Sequence, residues 1–159
     1  MMKRDVRLLL DNIRSVHNVG SIFRTAETLG ISRIYCLGTT PTPVDRFGRK
    51  RTDFAKVALG AEGMVLWEHV AGNGIDLIKK LKKESFEILA LEQARASTDY
   101  KKVEVSDKTL IILGSEIGGV SGGLLKASDV IAEIPLKGKK ESLNVSVAAG
   151  IFLYRVIDR

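Results

Sequence analysis

The stretch Lys140–Arg155, KESLNVSVAAGIFLYR, decides how the rest of the chain is read. It opens with the polar residues Glu141, Ser142 and Asn144 and then runs almost wholly apolar from Val145 to Tyr154, interrupted by Ser146. A surface helix of a globular protein carries an apolar stripe opposite a polar face. This run has no such wet face. It predicts a terminal helix from about Leu143 that is covered on two sides. Its first turn looks uncapped, and its polar groups look reserved for something other than packing.

Working outward, short β-rich runs alternate with helical patterns. Strands are expected near Val6–Leu10, Arg33–Leu37, Gly63–Trp67, Glu87–Leu91, Thr109–Leu113 and Val130–Ile134. Helices are expected near Asn18–Leu29, Arg51–Leu59, Gly74–Glu84 and Gly122–Ala127. This alternation predicts an α/β fold, a mostly parallel sheet with helices on both faces. No internal repeat or linker divides the 159 residues, so one domain over 1–159 is expected. The segment from Gly38 to Arg51, GTTPTPVDRFGRKR, is the most loop-like, with two of the three prolines and a basic tail.

Composition narrows the class. The 45% hydrophobic and 28% charged content is that of an ordinary globular protein. No apolar run reaches the roughly 18–20 residues of a membrane span, and Leu8–Leu10 is too short for a signal peptide. The lone cysteine, Cys36, lies in an apolar run and is expected to be an inert strand residue in a reducing cytosol. His17 and His69 do not have metal-ligand spacing, so no metal site is expected. Lys and Arg number 25 against 19 acids, a formal charge of +6. That balance points to an anionic partner, nucleic acid first.

The helix in NVGSIFRTAETLG, Asn18 to Gly30, is the most legible. Val19, Ile22, Phe23, Ala26 and Leu29 form one apolar stripe. Asn18 is the expected N-cap and Gly30 the stop. Arg24 falls on the polar face and, leaning toward the N-terminus, is expected to pass over Gly20 and arrive near Asn18 at the exit of the first strand. Ligands of open α/β sheets bind at such exits.

The glycine-rich run Gly114–Gly123, GSEIGGVSGG, resembles several motifs it does not complete. Its G-x-S-x-G portion lacks the downstream histidine of a hydrolase triad, because the last histidine is His69. Val120 stands where a P-loop needs lysine, and no G-x-G-x-x-G follows the first strand. What remains is a strand, LIILG, ending in a turn whose glycines allow close approach of backbone to a small molecule. That turn carries one acid, Glu116.

Three segments together resemble the SpoU (TrmH-type) family of RNA ribose 2′-O-methyltransferases, a branch of the SPOUT class. HNVGSIFRTAETLG is similar to its N-x-G-x-x-x-R pattern and LGSEIGGVS to its G-x-E-x-x-G pattern. IPLKGKKESLNVSVAAGIFLY is similar to its I-P-[ML]…S-L-N-V-[SA]-x-A pattern. The stretch from Arg46 to Leu81 carries less of the signature, and Leu136 stands where many members have Met. The resemblance implies a C-terminal trefoil knot, rare among proteins, and S-adenosylmethionine as methyl donor. It places the donor against Gly114, Ile134 and Leu136, with Leu91, Ser142 and Leu143 around it. It implies a homodimer, which would account for a terminal helix covered on two sides.

Methyl transfer to a 2′-hydroxyl is an in-line displacement that depends on positioning and needs no metal. The resemblance assigns Arg24 to the chemistry. Its guanidinium stays protonated, so it suits clamping an RNA phosphate and stabilising a developing alkoxide. Asn18, Glu116, Ser142 and Asn144 would orient ribose, loops and Arg24. Arg46, Arg49, Lys50 and Arg51, with Lys137, Lys139 and Lys140, are the candidate contacts to tRNA or rRNA. Lys79, Lys80, Lys82 and Lys83 read as the wet back of the Gly74–Glu84 helix. Two other classes remain: an RNA-binding protein that holds the donor without transferring methyl, and a nucleotide-binding α/β protein unrelated to RNA.

Overall fold

The computed structural model describes residues 4–158, and within them seven strands form one sheet. The strands are β1 (Asp5–Asp11), β2 (Arg33–Leu37), β3 (Leu66–Val70), β4 (Glu87–Leu91), β5 (Thr98–Asp99), β6 (Lys108–Gly114) and β7 (Val130–Glu133). Their spatial order is β3-β2-β1-β6-β4-β7-β5, and every pairing is parallel. Residues 1–3 and 159, the ends of the expected domain, lie outside the described residues.

The central strands explain the layering. Leu8, Leu9 and Leu10 of β1 and Leu110 to Leu113 of β6 are all buried, as in strands covered on both faces. Successive residues point to opposite faces. Leu8 and Leu10 enter one core with α1 (Val16–Thr28), α2 (Thr52–Ala58) and α5 (Val145–Ile157). Leu9 enters the other with α3 (Ile75–Lys83) and α4 (Gly122–Ala127). The expected α/β architecture with helices on both faces is therefore present. Phe23 of α1 meets Phe54 of α2 edge to face, with centroids 5.1 Å apart. Such a pair adds about 0.5–1.5 kcal/mol beyond area burial.

Several local expectations are corrected. The N-cap of α1 is Ser15, whose hydroxyl accepts the Asn18 N–H, so Asn18 stands inside the first turn with its side chain free for another use. Gly20 does not clear a path for Arg24. A Cβ there would lie 2.9 Å from Val57 Cβ, so this glycine serves close packing of α1 on α2. The third strand starts at Leu66, not Gly63, because Gly60 at φ +93° leads into a 3-10 turn over Ala61–Gly63. Pairing with β2 then sets its register, Arg33 opposite Leu66, and exposes Leu66 at the sheet edge. The two-residue β5 was not anticipated; it is too short to carry a pattern. The terminal helix is capped after all, by Asn144.

Candidate active site

Strands β6, β4 and β7 lie side by side and end at Gly114, Leu91 and Glu133. The loops leaving them, with the first turns of α5, enclose a cavity of about 520 Å³. That volume falls within the roughly 300–1,000 Å³ of small-molecule sites. Leu91, Gly114, Ile134, Leu136, Ser142 and Leu143 all line it, and so does Glu116. Its wall is apolar at Leu91, Leu113, Ile134, Leu136 and Val145 and polar at Glu92, Gln93 and Ser115.

The glycine loop is fixed in shape. A Cβ on Gly114 would lie 2.2 Å from the Gly119 carbonyl carbon and the Val120 nitrogen, so only glycine permits this approach. The Gly119 N–H donates to the Ser115 carbonyl at 2.8 Å, and Gly119 sits at φ +64°. Two carboxylates hold the loop. Glu92 accepts the Val120 N–H at 2.8 Å. Asp11, only 1% exposed, accepts both the Ser121 N–H and the Ser121 hydroxyl at 2.7 Å. Ser121 is thereby tied to the end of β1 rather than poised as a nucleophile. Asp11 and Glu92 were missed by sequence reasoning. Each is the first acid after a buried strand run, at the ligand-facing end.

At the rim three side chains from three motifs meet. Asn18 Nδ2 donates to Glu116 Oε1 at 2.7 Å. Asn144 Nδ2 donates to the same oxygen at 3.2 Å and to Asn18 Oδ1 at 3.1 Å. Asn144 Oδ1 meanwhile accepts the Ser146 N–H at 2.9 Å and the Val147 N–H at 3.4 Å, capping α5. One residue thus ends the helix and joins the site. Residues 135–143 contain no helix or strand and, among the described residues, make no backbone–backbone hydrogen bond. Their amides and carbonyls are left for solvent or a ligand.

Arg24 is not at this rim. It lines a separate depression of about 550 Å³ with His17, Ser21, Thr25, Thr28, Lys56 and Tyr154. It makes no hydrogen bond to Asn18 or Glu116. Six residues at 3.6 per turn separate Arg24 from Asn18, which rotates their side chains roughly a third of a turn apart. Alongside this depression α5 shows an apolar stripe, Val147, Ile151 and Tyr154, at 51%, 40% and 47% exposure.

The candidate RNA contacts occupy two surface segments. Arg46, Arg49 and Lys50 are exposed on the loop after β2, and Lys137, Lys139 and Lys140 on the segment after β7. Arg51 is half-buried and pairs with Asp53 at 2.7 Å, and Arg49 pairs with Asp45 at 2.8 Å. The Arg49 backbone N–H, foremost, holds the Asp45 carboxyl below the usual carboxylate range, and the Arg51 guanidinium does the same for Asp53. Lys79, Lys80, Lys82 and Lys83 are exposed on α3, as a solvated helix back requires. Burial pushes the Cys36 thiol up to about 12, which keeps it inert. Among the described residues no group of three or more His, Cys, Asp or Glu could hold a metal, and no helix is long and apolar enough to cross a membrane.

The fold and this cavity define a class, an open parallel sheet with a small-molecule site at the carboxyl ends of its strands. The family model described as "SpoU rRNA Methylase family" matches residues 5–154, and the chain belongs to that family. Among its relatives, the tRNA (guanosine(18)-2′-O)-methyltransferase of Aquifex aeolicus is 29% identical over 96% of this chain and 68% of its own length. The 23S rRNA (guanosine-2′-O-)-methyltransferase RlmB of Coxiella burnetii is 35% identical over 94% of this chain and 56% of its own. The chain thus spans little more than half to two thirds of these relatives. Of solved structures, an AdoMet-bound rRNA methyltransferase from Sinorhizobium meliloti superposes at TM-score 0.85, with 25% identity, over 97% of this chain and 56% of that one. The A. aeolicus TrmH/SpoU tRNA modifying enzyme gives 0.83 at 27% identity, over 96% of this chain and 74% of that one.

Proposed function

We propose that this chain transfers a methyl group from S-adenosylmethionine to a ribose 2′-hydroxyl of tRNA or rRNA. The observation that carries the reading is convergence. Asn18, Glu116 and Asn144, each from a different motif and far apart in sequence, share one hydrogen-bonded cluster at the rim of one cavity. Family membership and the 2′-O-methyltransferase relatives support it. Cytoplasmic RNA is the expected substrate.

The cavity fits the methyl donor. Its volume suits a nucleoside-sized ligand, its leucine and isoleucine walls suit a purine face, and the unpaired backbone of 135–143 suits the polar edges. Leu91, Gly114, Ile134, Leu136, Ser142 and Leu143 would hold it. When bound, S-adenosylmethionine supplies an electrophilic methyl carbon on a sulfonium. The ribose oxygen must be held about 3–3.5 Å from that carbon, in line with the bond that breaks. Asn18, Glu116, Ser142 and Asn144 would set that approach. Arg24, permanently cationic, would clamp phosphate and stabilise the oxygen as its proton leaves.

The position of Arg24 supports a homodimer with a shared active site. Arg24 sits beside Tyr154 of the uncovered α5 stripe rather than at its own chain's cavity. A second copy on that stripe would cover the apolar side chains and could bring one subunit's Arg24 toward the other's cavity. The trefoil knot is part of the same proposal. The chain goes from β4 out to β5, returns to the centre for β6, leaves for β7, and comes back as α5 onto α1. A return of this kind supports the knot. The same reading takes residues 1–159 as one methyltransferase domain.

Calorimetry with S-adenosylmethionine, followed by incorporation of labelled methyl into total RNA and mapping of 2′-O-methyl sites, tests the reading. Binding without incorporation would leave a donor-binding RNA-binding protein. No binding would end the proposal.

A further inference from the structure

The loop between β2 and α2 presents a phenylalanine where a surface loop ordinarily presents none. Phe47 is 67% exposed at the tip of a turn. The turn is built to hold it there. The Gly48 N–H donates to the Asp45 carbonyl at 2.9 Å, with Gly48 at φ +77°. The Asp45 carboxylate accepts the Phe47 N–H at 2.8 Å and the Arg49 N–H at 3.0 Å. Below the tip, Val44 and Lys50 form an antiparallel bridge. The root is anchored at the end of β1, where Asn12 Oδ1, one residue past the strand, accepts the Thr39 N–H at 3.0 Å and the Thr40 hydroxyl donates to the Leu10 carbonyl at 2.8 Å.

Two guanidiniums lie over the ring, which joins neither hydrophobic core. Arg46 Cζ lies 4.7 Å and Arg49 Cζ 5.1 Å from its centroid. An isolated phenyl ring among guanidiniums is not the contiguous apolar patch that marks a protein interface. It matches the combination that grips unpaired nucleic acid: an aromatic face for a base, with positive charge for the flanking backbone. The loop also leaves the carboxyl end of β2, and the cavity lies at the carboxyl ends of β6, β4 and β7 in the same parallel sheet.

Resting on the RNA reading above, we propose that Phe47 is a stacking platform for an unpaired nucleobase of the substrate, with Arg46 and Lys50 contacting the adjacent phosphates. The substrate class is then RNA with an extruded or looped base near the modified ribose. Bases inside an A-form duplex are already stacked, and its deep, narrow major groove does not admit the ring. Recognition by a ring face is tolerant of base identity, so this contact selects unpaired structure rather than sequence.

The test uses the whole chain with a fluorescent oligoadenylate dodecamer, either single-stranded or annealed to its complement, titrated by anisotropy across a salt series. Phe47→Leu is expected to weaken single-strand binding by roughly five- to a hundredfold. Duplex binding and the log–log salt slope should stay unchanged, and Phe47→Trp should restore the affinity. Arg46→Gln should flatten the slope instead, by up to about 0.7 for the lost contact. Equal single-strand affinity for wild type and Phe47→Leu overturns the proposal, as does an equal loss on both RNAs. Wild type that binds unfractionated tRNA but is insensitive to Phe47→Leu overturns the stacking role alone. Wild type that binds S-adenosylmethionine but no RNA overturns the RNA reading and this one with it.

Discussion

Asn18 Nδ2 lies 2.7 Å from Glu116 Oε1, a contact across 98 positions of sequence that joins α1 to the glycine-rich loop. The same carboxylate oxygen also receives Asn144 Nδ2, so one acid fixes two amides. Glu116→Ala removes the acceptor from both. Single-turnover methyl transfer is expected to fall by about a hundredfold, the scale of an ångström-sized misplacement. Thermal stability should change little, because the cluster is at a rim and the α5 cap from Asn144 Oδ1 survives. A variant with near-normal transfer would show that the cluster does not position the substrate.

The role proposed for Arg24 is in chemistry and not in methyl-donor binding. It lines none of the cavity around Leu91 and Gly114. Arg24→Ala should nearly abolish transfer while calorimetry finds affinity for S-adenosylmethionine within a few-fold of wild type. A large loss of that affinity would place Arg24 in the wrong site.

Gly114→Ala tests the cradle. The added methyl would meet the backbone of Gly119 and Val120 at 2.2 Å. Overpacking against backbone is expected to destabilise by roughly 1–3 kcal/mol. It should also weaken S-adenosylmethionine binding at least tenfold. Denaturant melts and calorimetry together check this, and unchanged binding would show the loop is not part of the pocket.

The stripe of Val147, Ile151 and Tyr154 on α5 predicts association. The wild type should sediment as a dimer at micromolar concentration, and Ile151→Glu should yield the 17.4 kDa monomer. If Arg24 and the cavity of two copies form one centre, the monomer should also lose transfer. A fully active monomer contradicts the shared site.

At the opposite end of the sheet, Asp5 accepts Arg7 Nε at 3.0 Å and Nη2 at 2.8 Å, and also the Ser32 hydroxyl. Arg7, above all, holds the Asp5 carboxyl below the usual carboxylate range. A depressed folded pKa means the ionised form favours the folded state. Its contribution is complete above the unfolded pKa, about 3.9, and is lost as pH falls through the lower folded value. Asp5→Asn should lower Tm at neutral pH by a few degrees and flatten the acid limb of stability against pH. An acid limb identical to wild type would assign it to other carboxylates.

How much of this was legible depended on locality. The alternation of strands and helices, the two-faced burial of Leu8–Leu10 and the stripe from Val19 to Ala26 follow from hydrophobic period, a property of neighbours along the chain. The ban on a side chain at Gly114 does not, because it comes from the approach of Gly119 and Val120. The three motif segments were readable as residue types, and the resemblance pointed to five residues within them, with Leu91, that do line the cavity. The register of β3 was not, because pairing with β2 overrides the apolar run at Gly63–Trp67. Nor was the cap of α1, since Ser15 and Asn18 both suit that role and only the pull of Glu116 on Asn18 divides them.

The sequence alone determined the layers, because hydrophobic period acts over a few residues, and its three motif segments carried the resemblance to the family. Only the tertiary structure decided which polar groups meet. It brought Asp11 and Glu92 under the glycine loop, turned Asn144 into both cap and ligand of Glu116, and set Arg24 apart from the cavity. Those outcomes depend on where strands separated by tens of residues end in space and on the rotation of α1 about its own axis. Neither is encoded in the spacing of residues along one segment.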